Sequence, residues 1–137
     1  MRANKVKIVI LTASRLRHKA FAAKAMLSKK LKVQGAFYED GSPLTEMVAK
    51  RENNTLQKSH LLARDQAERD VFSWFLASQD KHKFLEKKVE RGWFSSEACR
   101  CLMNSIKPDL ILVYGTSILK GKLLEDFQGR ILNIHLG

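Results

Sequence analysis

Two polar residues interrupt the apolar run that closes the chain. In "RILNIHLG", Arg130 to Gly137, Asn133 and His135 stand two positions apart among leucines and isoleucines. Alternate side chains of a strand share a face, so this pair points one way and Leu132, Ile134 and Leu136 point the other. An asparagine amide donates and accepts; a histidine donates, accepts or carries a proton near neutral pH. Side by side they can hold an oxygen that gains negative charge and move a proton, the two demands of acyl transfer. A half-exposed strand face also carries polar residues without any chemistry, so the spacing alone leaves both readings open.

A second cluster follows the first apolar run. Arg15, Arg17, His18 and Lys19 crowd the expected amino end of a helix. The helix dipole disfavours cations there by about 0.3–1 kcal/mol each, so the cluster makes more sense around an anion gripped by the free N–H groups. A phosphate or carboxylate on a substrate is the expected ligand; basic side chains splayed into water are the bland alternative. Cys99 and Cys101 sit two apart in a helical pattern and point away from each other, which argues for reduced thiols rather than a disulfide or a shared metal. His60 and His82 lack a second ligand at metal spacing, and no metal site is expected. No phosphate-loop or nucleophile-elbow motif occurs, and the absence of G-x-G-x-x-G after the first strand argues against a nicotinamide enzyme.

The elements that must position these residues form an α/β pattern. "KVKIVILTA", Lys5 to Ala13, contains an unbroken β-branched run, the mark of a strand buried on both faces in a parallel sheet. A helix follows, with Leu16, Ala20, Ala23 and Leu27 inward and Lys24, Lys29 and Lys30 in solvent. "LKVQGAFYE", Leu31 to Glu39, completes a βαβ unit, whose crossover is right-handed. "DGSP" breaks the chain, with Ser42 as a helix cap and Pro43 at the first helical position, opening a segment towards Asn53 and Asn54. From His60 to Glu90 the pattern predicts helix, inside a helical segment over about 43–106. There Ala63, Ala67, Val71, Trp74 and Ser78 form a stripe read as a packing face. After a turn at Arg91 and Gly92, a helix capped by Ser95 or Ser96 runs to just before Pro108. Leu110 to Tyr114 is a strand ending at Gly115; Leu123, Leu124 and Phe127 mark a short helical turn; "RILNIHL" is the last strand. The expectation is one Rossmann-like domain over 1–137, an open, mainly parallel sheet with flanking helices.

Bulk properties narrow the partners. The chain has 137 residues and a net charge of +11, but the first carboxylate is Glu39. Ten cations precede it, and the remainder is nearly balanced, fifteen Lys or Arg against fourteen Asp or Glu. A basic third of this kind attracts phosphate groups or nucleic acid, or is simply a solvated face. No apolar run approaches the roughly 18 residues of a membrane helix, and no signal-like cleavage region follows the first strand. A cytoplasmic protein without membrane contact is expected.

The closing stretch "PDLILVYGTSILKGKLLEDFQGRILNIHLG" resembles the signature region of the folate-dependent formyltransferases. The matching features are Pro108-Asp109, Leu110 to Val113, Gly115, Ile118-Leu119, Leu123-Leu124, Gly129 and Asn133-Ile134-His135. The resemblance implies transfer of a formyl group from 10-formyltetrahydrofolate to a primary amine, which attacks the formyl carbon. By the family pattern Asn133 and His135 stabilise the charged oxygen and His135 assists the proton. Thr116, Ser117, Ile118 and Leu119 correspond to the loop whose backbone contacts the pterin, although Ser117 stands where Arg is common. The acceptor is an amino sugar, often nucleotide-linked, an aminoacyl-tRNA or another small amine.

Two departures qualify the match. The family's third catalytic residue, an Asp some thirty residues beyond the His, would lie past Gly137. That predicts the amino-terminal portion of a longer formyltransferase, poorly active by itself. The turn "TASRLRHKA" also lacks the glycine-rich phosphate loop of glycinamide ribonucleotide formyltransferase. The competing expectation is a non-catalytic module whose basic surface binds RNA or an acidic partner; Phe21, Phe37 and Tyr38 are the few aromatics available for base stacking in that third.

Overall fold

The computed structural model describes residues 4–40, 55–79 and 85–135. Five strands, β1 (Val6–Ala13), β2 (Leu31–Glu39), β3 (Leu85–Val89), β4 (Leu110–Tyr114) and β5 (Ile131–Ile134), form one sheet in the order β3-β2-β1-β4-β5. Every pairing is parallel. This is a Rossmann-like α/β sheet. Central β1 is buried on both faces from Ile8 to Leu11, which is why its sequence is unbroken oil rather than an alternation.

Each face of the sheet has its own cover. Val9, Leu11, Phe37, Ile111 and Val113 pack with Phe94, with Cys99 and Met103 of α4 (Glu97–Ile106), and with Leu123 and Phe127 around the short α5 (Lys122–Asp126). Ile8, Ile10, Ala36 and Tyr38 face Ala22 and Ala25 of α1 (Leu16–Met26), where small side chains let the helix approach closely. Burying each large apolar side chain contributes about 1.5–3 kcal/mol. The helix α4 begins at Ser96, whose hydroxyl accepts from the Cys99 N–H at 3.2 Å, and ends at Lys107 in the left-handed region ahead of Pro108. Cys99 is buried, which pushes its thiol up to about 12, and Cys101 is exposed, so the two thiols do point apart.

Two expectations need correction. Helix does not continue to Glu90, nor through the whole of 43–106, because Leu85–Val89 is strand β3 on the edge beside β2. Glu86, Lys87 and Lys88 are exposed there. A charged edge strand blocks unwanted pairing but looks helical in sequence, and backbone pairing to Gly35–Glu39 decides its conformation. The second correction concerns the helix α2 (Thr55–Glu68), which passes through a π turn (Arg69–Ser73) into α3 (Trp74–Ala77). Its stripe Ala63, Ala67, Val71, Trp74 and Ser78 faces outward, with Trp74 75% exposed. The inward side carries Leu61, Asp65 and Glu68, and the two carboxylates are held by ion pairs to Arg15 and Arg17. A packing face built on charge leaves no hydrophobic stripe to read. Ser42, Pro43, Asn53, Asn54, His82, Leu136 and Gly137 lie outside the described residues. No helix among the described residues is long and apolar enough to cross a membrane.

Candidate active site

The chain leaves β1 towards β2 on one side and returns past it to β4 on the other. In open α/β sheets ligands bind outside the carboxyl ends of the strands at such a switch. The loop after β4 and the end of β5 meet at this edge. A cavity of about 490 Å³ there is lined by Gly115, Thr116, Ser117, Ile118, Leu119, Asn133 and His135, over a floor of Val113, Leu124 and Ile131. Asn133 pairs in register with Val113, so its side chain rises on the α4–α5 face of the sheet. The start of β4 is fixed through Asp109, which accepts from the Lys7 N–H at 2.7 Å while its own N–H donates to the Lys7 carbonyl at 2.8 Å. The Pro-Asp pair of the sequence thus sets the register that aims the loop.

That loop is clamped from two sides. Glu39, at the carboxyl end of β2 and only 3% exposed, accepts from the Ser117 N–H and hydroxyl, both at 2.6 Å, and from the Gly92 N–H. Ser95 Oγ accepts from the Lys120 N–H at 2.8 Å. Below, α5 is fastened to α4 by Asp126, which takes a hydrogen bond from Asn104 at 2.8 Å and an ion pair from Arg100 at 2.6 Å. These partners, Asn104 first, hold the Asp126 carboxyl below its usual range. Glu39, Gly92 and Ser95 were not foreseen as site residues. The one available signal was Glu39 itself, a carboxylate at the carboxyl end of its strand, directly after the run Gly35 to Tyr38.

The basic cluster lies on the other side of His135. Arg15 caps α1 without a side-chain hydrogen bond to the helix, and its Nη1 lies 3.4 Å from Asp65 Oδ1. Arg17 pairs with Glu68. Lys19 is partly exposed on the first turn. His18 is buried, 2% exposed, edge-on to Tyr114 at 4.7 Å. Burial first, then the charges of Arg17 and Arg15, lower its imidazole to about 4, so it is neutral near pH 7. Arg17, His18, Arg64, Glu68, Gly115 and His135 all border a second cavity, of about 370 Å³. His135 therefore borders both cavities, and of the basic cluster Arg17 and His18 share the second with it, while Arg15 and Lys19 do not line it. A larger groove, about 510 Å³, lies beside α1 and α3, is lined mainly by apolar residues such as Phe21, Phe72 and Phe75, and includes neither Asn133 nor His135.

Two solved structures are similar to this chain. One is phosphoribosylglycinamide formyltransferase from Anaplasma phagocytophilum, with a TM-score of 0.55 and 16% identity over 96% of this chain and 50% of that one. The other is phosphoribosylglycinamide formyltransferase from Brucella melitensis, with a TM-score of 0.50 and 18% identity over 96% of this chain and 57% of that one. The fold is formyltransferase-like. The chain spans about half the length of these structures. No protein-family model and no curated protein matches the sequence.

The cavity after β4 mixes an apolar floor with a few convergent polar groups, the usual make-up of a small-molecule pocket. Its apolar walls are Val113, Ile118, Leu119, Leu124 and Ile131. Among the described residues no group of three or more His, Cys, Asp or Glu is arranged to hold a metal ion.

Proposed function

We propose that this protein takes part in transfer of a formyl group from 10-formyltetrahydrofolate to a primary amine. The observation that carries this reading is the meeting, on one cavity of a formyltransferase-like fold, of the Thr116–Leu119 loop with Asn133 and His135. The pterin ring of the donor lies against the loop and the apolar floor, and the donor supplies the formyl carbon. The Asn133 amide donates to the formyl oxygen as negative charge grows on it. His135, at the junction of the two cavities, takes the proton released by the attacking nitrogen and passes it towards the departing one. The amine approaches from the cavity bounded by Arg17, His18 and Glu68.

The test separates donor binding from chemistry. Calorimetric titration with 10-formyltetrahydrofolate is expected to show saturable binding that persists in Asn133→Ala. In the same variant, formyl transfer in single turnovers falls by about 10²–10³-fold, the cost of removing one donor to a developing oxyanion. Absence of donor binding at millimolar concentration removes the reading. Fast transfer that ignores Asn133 removes the role given to that residue.

A further inference from the structure

The cavity on the acceptor side is fenced by charges that satisfy one another. Arg64 Nη2 lies 2.8 Å from Asp65 Oδ1, and Arg15 Nη1 reaches the same oxygen at 3.4 Å. Glu68 pairs with Arg17 and lies 3.8 Å from Arg64 Nε. The Glu68 side chain is 11% exposed and that of Asp65 35%, so the pair is wedged between helices rather than waving in solvent. Asp65 and Glu68 stand three apart on α2 and meet residues fifty positions away at the amino end of α1. Guanidinium forks recognise phosphate with the same donors that they offer to a carboxylate. Here Nη1 of Arg15, Nη1 of Arg17 and both Nε and Nη2 of Arg64 are already turned to the protein's own acids. Arg17, Arg64 and Glu68 border the cavity, with Asp65 and Arg15 next to them, so a phosphate ester entering would meet at least one carboxylate within ion-pair distance of each of these arginines, and like charges that close repel in a part-buried site.

We infer that Asp65 and Glu68 determine acceptor specificity: they occupy Arg15, Arg17 and Arg64 and turn phosphate-bearing amines away from the cavity beside His135. This inference rests on the formyl-transfer reading for the meaning of "acceptor". The class it selects is a primary amine whose flank is uncharged or cationic, facing Tyr114, Gly115 and Ile134 on the remaining wall. Two carboxylates thus do for this cavity what the positive amino end of α1 would otherwise oppose, and they make the arginine cluster a structural pairing rather than an anion trap.

The experiment uses inorganic phosphate as the probe and follows the arginine side-chain signals of the ¹⁵N-labelled chain by NMR. The native protein is expected to show no saturable phosphate binding at the Arg15 and Arg17 signals. Asp65→Asn with Glu68→Gln frees the forks and is expected to tighten phosphate binding by at least about tenfold, a gain that disappears when Arg17→Ala is added. Should the double variant fail to fold, Asp65→Asn alone, at the more exposed carboxylate, is expected to show a smaller gain at Arg15. Equal phosphate binding by the native chain and a folded variant overturns the inference, as does a gain that survives Arg17→Ala. The titration contains neither folate nor amine. Loss of the formyl-transfer reading would therefore show as absent donor binding and leave the phosphate result unchanged.

Discussion

Glu39 shows how much can hang on one side chain. Its carboxylate gathers two N–H groups and a hydroxyl from segments fifty and more residues downstream, at 3% exposure. Hydrogen bonds to a charged group are worth about 1.5–3 kcal/mol each, and a buried donor left without its partner costs a comparable amount. Glu39→Gln keeps the shape but turns an amide NH₂ towards groups that are themselves donors. Urea unfolding is expected to show a loss of about 2–4 kcal/mol; under the proposed formyl transfer, KM for the donor is expected to rise more than kcat falls, because the loop loosens while Asn133 and His135 stay in place. An unchanged unfolding midpoint would mean that the loop is held by Ser95 and its own backbone.

Between elements, the close approach of α1 to the loop after β4 is the decisive contact. Gly115 has φ of +69°, and a Cβ added there would overlap the Nε2 of buried His18. Two separate costs attach to Gly115→Ala: left-handed backbone, about 1–2 kcal/mol, and collision with an imidazole packed against Tyr114. A double-mutant cycle can divide them. Gly115→Ala is expected to be strongly destabilising in the native background. In His18→Ala the same substitution should cost only the backbone share. Equal costs in both backgrounds, measured by chemical denaturation, would remove His18 as the residue that sets the loop's distance from α1.

For the molecule as a whole, His18 also writes a pH dependence into stability. The ring is neutral in the folded chain down to about 4, against an ordinary 6.5 when unfolded, through burial and then the charges of Arg17 and Arg15. Between those values the unfolded chain binds the extra proton, so stability is complete above pH 6.5 and is lost as the pH falls towards 4. The loss from this group is at most about 3 kcal/mol. Unfolding free energies at pH 7.5, 5.5 and 4.5 are expected to decline in that window, and His18→Gln to flatten the decline. A variant that keeps the native slope would assign the effect to other groups. The global charge fits the same picture: the basic third is less naked than its sequence implies, since Arg15 and Arg17 are paired to α2.

The Rossmann-like class, the opening βαβ unit, a serine cap at Ser95 or Ser96 and the break before Pro108 were legible in the sequence, because local rules dictate them: a β-branched run, a hydroxyl before a helix, a ring that cannot continue one; the structure chose Ser96. So was strand β5, from its apolar run after Gly129. Strand β3 was not, because "LEKKV" has no intrinsic preference strong enough to outweigh its charges, and pairing with β2 is a property of the sheet. Nor was the inward face of α2, where ion pairs replace the hydrophobic stripe that periodicity detects. The partners of Arg15, Arg17, Glu39 and Gly115 lie from about fifty to nearly a hundred residues away in sequence. Local pattern selected the residues able to do chemistry, and tertiary structure alone decided which of them touch, because contact between distant segments is set by how the sheet is wound.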